Sequence, residues 1–113
     1  MVYLIIALFA VAPVVGVILT NAIIVKRPET PKAAVVAHGI FAVAGLGLLI
    51  YCMVQNPDNY PKAALILFVI AALGGIILLV RDLQKKAGPV GLVVVHALVA
   101  VTAFALLLVF ALG

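Results

Sequence analysis

The chain contains few charged residues. Only 9% of its 113 residues are charged, only three are acidic, and tryptophan is absent, whereas 69% are hydrophobic. A soluble globular domain is about half apolar and a quarter charged, and a domain this small buries too little surface to hide so large an apolar excess. The composition therefore excludes a soluble domain and predicts an integral membrane protein.

The scarcity of acidic residues and of cysteine excludes further classes. Glu29, Asp58 and Asp82 all lie in predicted connections between apolar runs, so the predicted membrane helices carry no carboxylate. Proton-coupled exporters of the small four-helix multidrug type have a similar length but need a membrane-embedded carboxylate, and that class is excluded. Cys52 is the only cysteine, which rules out an intramolecular disulfide. Two histidines and one distant cysteine also fall short of the four ligands of structural zinc.

Four apolar runs make up most of the chain, at about 3–25, 33–54, 63–80 and 90–112. Each is close to the roughly 20 residues that cross a bilayer as a helix, and a lipid-embedded backbone must satisfy its own hydrogen bonds. The connections are short, so neighbouring helices are antiparallel. The sequence predicts an all-α fold: an integral membrane up-down four-helix bundle that forms a single domain over residues 1–113.

The basic residues predict the orientation of this bundle. Six of the seven lie in the first and third connections, which emerge on the same side: Lys26, Arg27, Lys32, Arg81, Lys85 and Lys86. Positively charged loops stay in the cytoplasm, so both termini are predicted to lie outside, in a bacterial inner membrane. The lipid bilayer is the expected partner. A nucleic-acid partner is not predicted, because the basic residues are split between two short loops.

The two histidines of the chain occupy matching frames. His38 lies seven residues after Pro31, and His96 lies seven residues after Pro89. Both prolines fall in the first turn of a predicted helix, where proline is tolerated. At 1.5 Å per residue, each imidazole is expected about 10 Å into a helix that runs outward from the cytoplasm. Flanking residues of the second and fourth helices repeat 58 positions apart, as in a duplicated helix, whereas the first and third helices align poorly.

Small side chains follow both histidines on the same helical face, at i+4 and i+7: Ala42, Gly45, Ala100 and Ala103. The second and fourth helices are diagonal partners in an up-down bundle. Two inward-facing histidines at one depth can ligate one metal from opposite sides, and the small residues leave room for a flat cofactor. The prediction is a metal site formed by His38 and His96.

The other two helices are expected to border this site at the same depth. On the third helix, Gly74 and Gly75 would let a flat cofactor approach the backbone. On the first helix, Thr20 or Asn21 would hydrogen-bond an imidazole nitrogen or a cofactor carboxylate. The basic loop residues would receive the carboxylates if these point toward the cytoplasm.

The stretches HGIFAVAGLGLLIY and VHALVAVTAFALLLVF resemble the haem-bearing helices of b-type membrane cytochromes, loosely the cytochrome b561 type. The resemblance implies one haem b with His38 and His96 as axial ligands. Such cytochromes usually carry two haems on four histidines, and this chain can supply ligands for only one. With both axial positions filled, outer-sphere electron transfer is expected, with a quinone or a redox protein on the cytoplasmic side.

Two other functional hypotheses stay open. The chain could be a non-enzymatic structural or accessory membrane protein whose histidines hydrogen-bond across helices and which works with a partner or as a homodimer. A metal or proton carrier ranks lower, because no polar path extends beyond the histidine pair. The sequence contains no nucleophile–base pair and no phosphate-binding glycine loop, so it does not establish whether the protein is an enzyme.

Overall fold

The computed structural model describes residues 2–24, 32–84 and 90–113, with the side chains of 19, 20, 22–24, 32 and 90 left undescribed. It contains four α-helices: α1 (Val2–Ile24), α2 (Lys32–Gln55), α3 (Lys62–Leu83) and α4 (Val90–Leu112). The predicted all-α, four-helix class is confirmed.

Three of these helices, α2, α3 and α4, are long and apolar enough to cross a membrane. In α1, the described stretch Val2–Ile18 is also apolar. Large hydrophobic side chains cover the outside of the bundle; Ile40 and Leu98, for example, are 61% and 62% exposed. A contiguous apolar exterior of this kind marks a surface that meets something other than water. The helices therefore have the length and the surface of a membrane protein.

The third helix extends further than the sequence indicated. Arg81 and Asp82 lie in its last turn rather than in a connection, so the prediction that no helix contains a carboxylate is wrong for this one terminal residue. The reason is that a helix can continue past the end of its apolar run. A cation such as Arg81 near a helix C-terminus also interacts favourably with the last carbonyl groups.

The four helices form two hairpins, a first hairpin of α1 and α2 and a second hairpin of α3 and α4. Packing within each hairpin is much closer than packing between them. The bundle is elongated, with extents of 46 × 23 × 20 Å. Val2, Asn59 and Gly113 line one cleft, so both chain ends and the α2–α3 connection lie at the same end. This end is called the terminal end below.

The two hairpins are repeats of each other. Buried residues of α1 recur in α3 after 59 positions, and those of α2 recur in α4 after 58: Ile5 with Ala64, Phe9 with Phe68, Ala12 with Ala71, Gly45 with Ala103 and Leu49 with Leu107. The segments LFAVAPVVGVIL (8–19) and LFVIAALGGIIL (67–78) are identical at six of twelve positions. The prediction that the first and third helices align poorly is wrong, because their register differs by one residue from that of α2 and α4.

A layer of aromatic rings fills the middle of the bundle. The rings of Phe9 and Phe68 stack with centroids 3.9 Å apart and planes 5° apart. A Cβ atom added at Gly45 would lie 2.9 Å from the Phe9 ring, and Ala103 is fully buried in the same cluster. This phenylalanine layer joins the two hairpins at their centre.

Candidate functional site: a histidine pair between two hairpins

His38 of α2 and His96 of α4 lie side by side between the hairpins. Their ring centroids are 6.2 Å apart, and the ring planes are inclined by 68°. Both residues are half-buried. The shared frame of Pro31 and Pro89 therefore corresponds to a real proximity: the two histidines of the sequence meet within one chain. The pair lies about two helical turns from the phenylalanine layer, on the side away from the terminal end, since Gly45 and Ala103 of that layer follow the histidines by seven residues.

Each imidazole is held by a main-chain carbonyl of the other helix in its own hairpin. His38 Nδ1 lies 2.8 Å from the carbonyl oxygen of Ala12, and His96 Nδ1 lies 2.8 Å from that of Ala71. A carbonyl oxygen can only accept, so Nδ1 carries the hydrogen in both rings. A neutral imidazole has one donor and one acceptor nitrogen, which leaves each Nε2 with a free lone pair.

Glycine makes room for each ring. A Cβ atom at Gly16 would lie 3.3 Å from Cε1 of His38, and one at Gly75 would lie 3.2 Å from Cε1 of His96. These distances are shorter than normal van der Waals contacts between carbon atoms. Gly16 and Gly75 are equivalent in the repeat and follow the accepting alanine by four residues, so they lie one turn further on the same face. On both α1 and α3, an alanine accepts the hydrogen bond of the imidazole, and a glycine four residues later leaves space for the ring.

The predicted small residues fall into three groups. Gly74 and Gly75 contact His96, as their expected depth implied. Ala42 and Ala100 are half-buried one turn beyond the histidines. Two others, Gly45 and Ala103, belong to the phenylalanine layer, so the space expected above them for a cofactor is filled by side chains.

Asn21 does not hydrogen-bond either histidine, which was one of its two expected roles; a hydrogen bond to a cofactor carboxylate stays a prediction. Its side chain is exposed, the ring Nδ1 atoms bond to Ala12 and Ala71 instead, and the side chain of Thr20 lies outside the described residues. The depth expected for Asn21 was wrong, because residues were counted inward from Lys26 on α1 but from Arg81 on α3. Lys26 corresponds to Lys85 in the repeat, so the count on α1 stopped about one turn too early.

The donor set of the site is two imidazole nitrogens. Among the described residues, no group of three or more His, Cys, Asp or Glu side chains could hold a metal ion. Two metal–nitrogen bonds of about 2.0 Å, with each ring centre about 1.1 Å behind its nitrogen, would place the centroids about 6 Å apart; the observed separation is 6.2 Å. Metal-ligating histidines also typically donate their other N–H to a carbonyl or carboxylate. These donors fit a metal that brings its remaining ligands with it.

Haem is such a group, because its porphyrin supplies four nitrogens and leaves two axial positions for histidine. The pair of imidazole donors fits this cofactor. The phenylalanine layer bounds the space on one side: Phe9 and Phe68 fill the bundle interior about two turns away.

Comparison with known proteins gave no relative: no protein family model, curated protein or solved structure matches this chain.

Proposed function

We propose that this protein is a membrane b-type cytochrome, in which His38 and His96 together ligate one haem b that transfers single electrons. The observation that carries the proposal is the histidine pair itself. Its centroids are 6.2 Å apart, and both Nδ1 atoms are engaged by main-chain carbonyls. Each imidazole therefore keeps its Nε2 lone pair for a metal, and the centroid separation matches two metal–nitrogen bonds.

The chain's own groups determine how the ligands behave. The carbonyls of Ala12 and Ala71 fix the tautomer and the orientation of each ring, and such a bond makes the imidazole a stronger ligand. When bound, haem supplies a ferric/ferrous couple. With His38 and His96 as its two protein ligands, a haem bound here would have no open site, which would favour outer-sphere electron transfer over oxygen activation.

The proposed location is a bacterial inner membrane, with both termini outside. Six basic residues in the first and third connections or in the adjoining helix ends support this orientation. Gly75 lies eight residues before the end of α3, about 12 Å along the helix, so the histidine pair would lie in the cytoplasmic half of the bilayer. A quinone or a redox protein on that side is the proposed partner.

An absorption titration tests haem binding. The protein is expressed with haem supply and purified in detergent, and spectra are recorded in the oxidised and reduced forms. The H38A/H96A double variant serves as the control for haem that merely dissolves in the micelle. A b-type spectrum confined to the wild type is expected, and a preparation that stays colourless through the titration would exclude the cytochrome.

A second candidate is a structural or accessory membrane protein without cofactor. Two observations favour it: each histidine already bridges two helices through its carbonyl bond, and Phe9 and Phe68 fill the neighbouring layer. Side-chain hydrogen bonds of this kind stabilise helix packing in membranes. This candidate predicts no haem spectrum but a loss of stability when either histidine is replaced.

A further inference from the structure

One nitrogen near the histidine end lacks a partner within the described part of the chain. Nε of Arg81 is buried and makes no hydrogen bond there, although the residue as a whole is half-buried. Leaving a buried donor unsatisfied is costly, and more so when it is charged. Buried polar groups without partners are uncommon in folded proteins and call for an explanation.

The position of Arg81 connects it to the histidine pair. Arg81 follows Gly74 by seven residues, two helical turns on the same face of α3. A Cβ atom at Gly74 would lie 3.5 Å from Nδ1 of His96. Helical side chains lean toward the N-terminus of their helix, and for Arg81 this is the direction of the histidine layer. The guanidinium therefore belongs to the same end of the bundle as the two imidazoles.

We propose that Arg81 binds a carboxylate of the group that the histidines hold, namely a propionate of the haem. This inference rests on the proposed function. A guanidinium matches a carboxylate with two parallel charge-assisted hydrogen bonds. Haem carries both of its carboxylates on one edge, so a cation at this end directs that edge toward the predicted cytoplasmic loops.

A comparison of haem with haem dimethyl ester, in which both carboxylates are neutralised, distinguishes carboxylate binding by Arg81 from a packing role of this side chain. Both are titrated into the wild type and into R81Q, R81K and K62Q. Lys62 is the matched control, because it is an exposed cation at the opposite end of α3. The wild type and K62Q should bind haem about tenfold more tightly than the ester, since a charge-assisted bond is lost with the ester. R81Q should lose this preference with its ester affinity unchanged, and R81K should restore part of it.

The outcomes distinguish the two proposals. If R81Q keeps the wild-type preference, or if it binds the ester more weakly than the wild type does, the assignment of Arg81 is wrong while the cytochrome stands. If the wild type binds neither ligand, the cytochrome itself is wrong, and the inference about Arg81 falls with it. The unchanged ester affinity of R81Q also shows that the variant is folded.

Discussion

Phe9 and Phe68 stack face to face with ring centroids 3.9 Å apart, and they occupy the same position in two successive helical hairpins. The neighbouring histidine site follows the same repeat. One imidazole bonds to the carbonyl oxygen of Ala12 and packs beside Gly16. The other bonds to the carbonyl oxygen of Ala71 and packs beside Gly75. A ligand between the two rings would therefore meet two nearly equivalent half-sites, and paired substitutions in the two hairpins should have similar effects.

Removing either histidine–carbonyl bond should destabilise the bundle by a similar amount. H38F and H96F keep a ring but lose the donor, and each should lower the free energy of unfolding by about 1 kcal/mol, the usual net value of such a bond. The measurement is reversible unfolding in mixed micelles, followed by circular dichroism. T102V is the control, because Thr102 bonds to Leu98 within its own helix at an exposed position. A cost confined to one histidine would contradict the equivalence of the hairpins.

Alanine at Gly16 or Gly75 should displace an imidazole, since the new Cβ would lie 3.3 or 3.2 Å from Cε1. G39A and G47A are the controls, because a Cβ at those glycines meets nothing within 4 Å. The controls should gain up to about 1 kcal/mol from the better helix propensity of alanine. G16A and G75A should gain less or lose stability, and both should weaken haem binding. If thermal denaturation gives all four variants the same change in stability, Gly16 and Gly75 do not make room for the imidazoles.

Gly45 should be intolerant of alanine because of Phe9. The added Cβ would lie 2.9 Å from the ring, and overpacking of this kind costs about 1–3 kcal/mol. F9L should relieve the crowding, so the F9L/G45A double variant is expected to be more stable than the sum of the single effects predicts. Additive free energies of unfolding in this double-mutant cycle would show that the two residues do not compete for the same space.

The orientation can be tested by labelling single cysteines in a C52A background. D58C, in the connection at the terminal end, should react with a membrane-impermeant maleimide added outside the cell. K85C should react only after the membrane is permeabilised, since basic loops remain in the cytoplasm. Labelling of K85C in intact cells would reverse the orientation and move the histidine pair to the outer half of the bilayer.

The sequence predicted the four helices well, because the bilayer sets the length of an apolar run. It also predicted, from the two proline frames, that His38 and His96 lie at the same level of the bundle. The acceptors at Ala12 and Ala71 were not predictable, since a main-chain carbonyl that takes a second hydrogen bond has no residue signature. The role of Gly16 had a signal that was missed: α1 and α3 align at a spacing of 59, one more than the 58 that relates α2 and α4.

The most direct measurement is the low-temperature electron paramagnetic resonance spectrum of the ferric, haem-loaded protein and of its H38A and H96A variants. Ligation by both histidines predicts a low-spin signal. Imidazole planes inclined by 68° leave two iron d orbitals nearly degenerate, so the signal should be strongly anisotropic. Each single variant should convert to a high-spin, five-coordinate form. A low-spin signal that survives unchanged in either variant would show that His38 and His96 are not the two ligands of one haem.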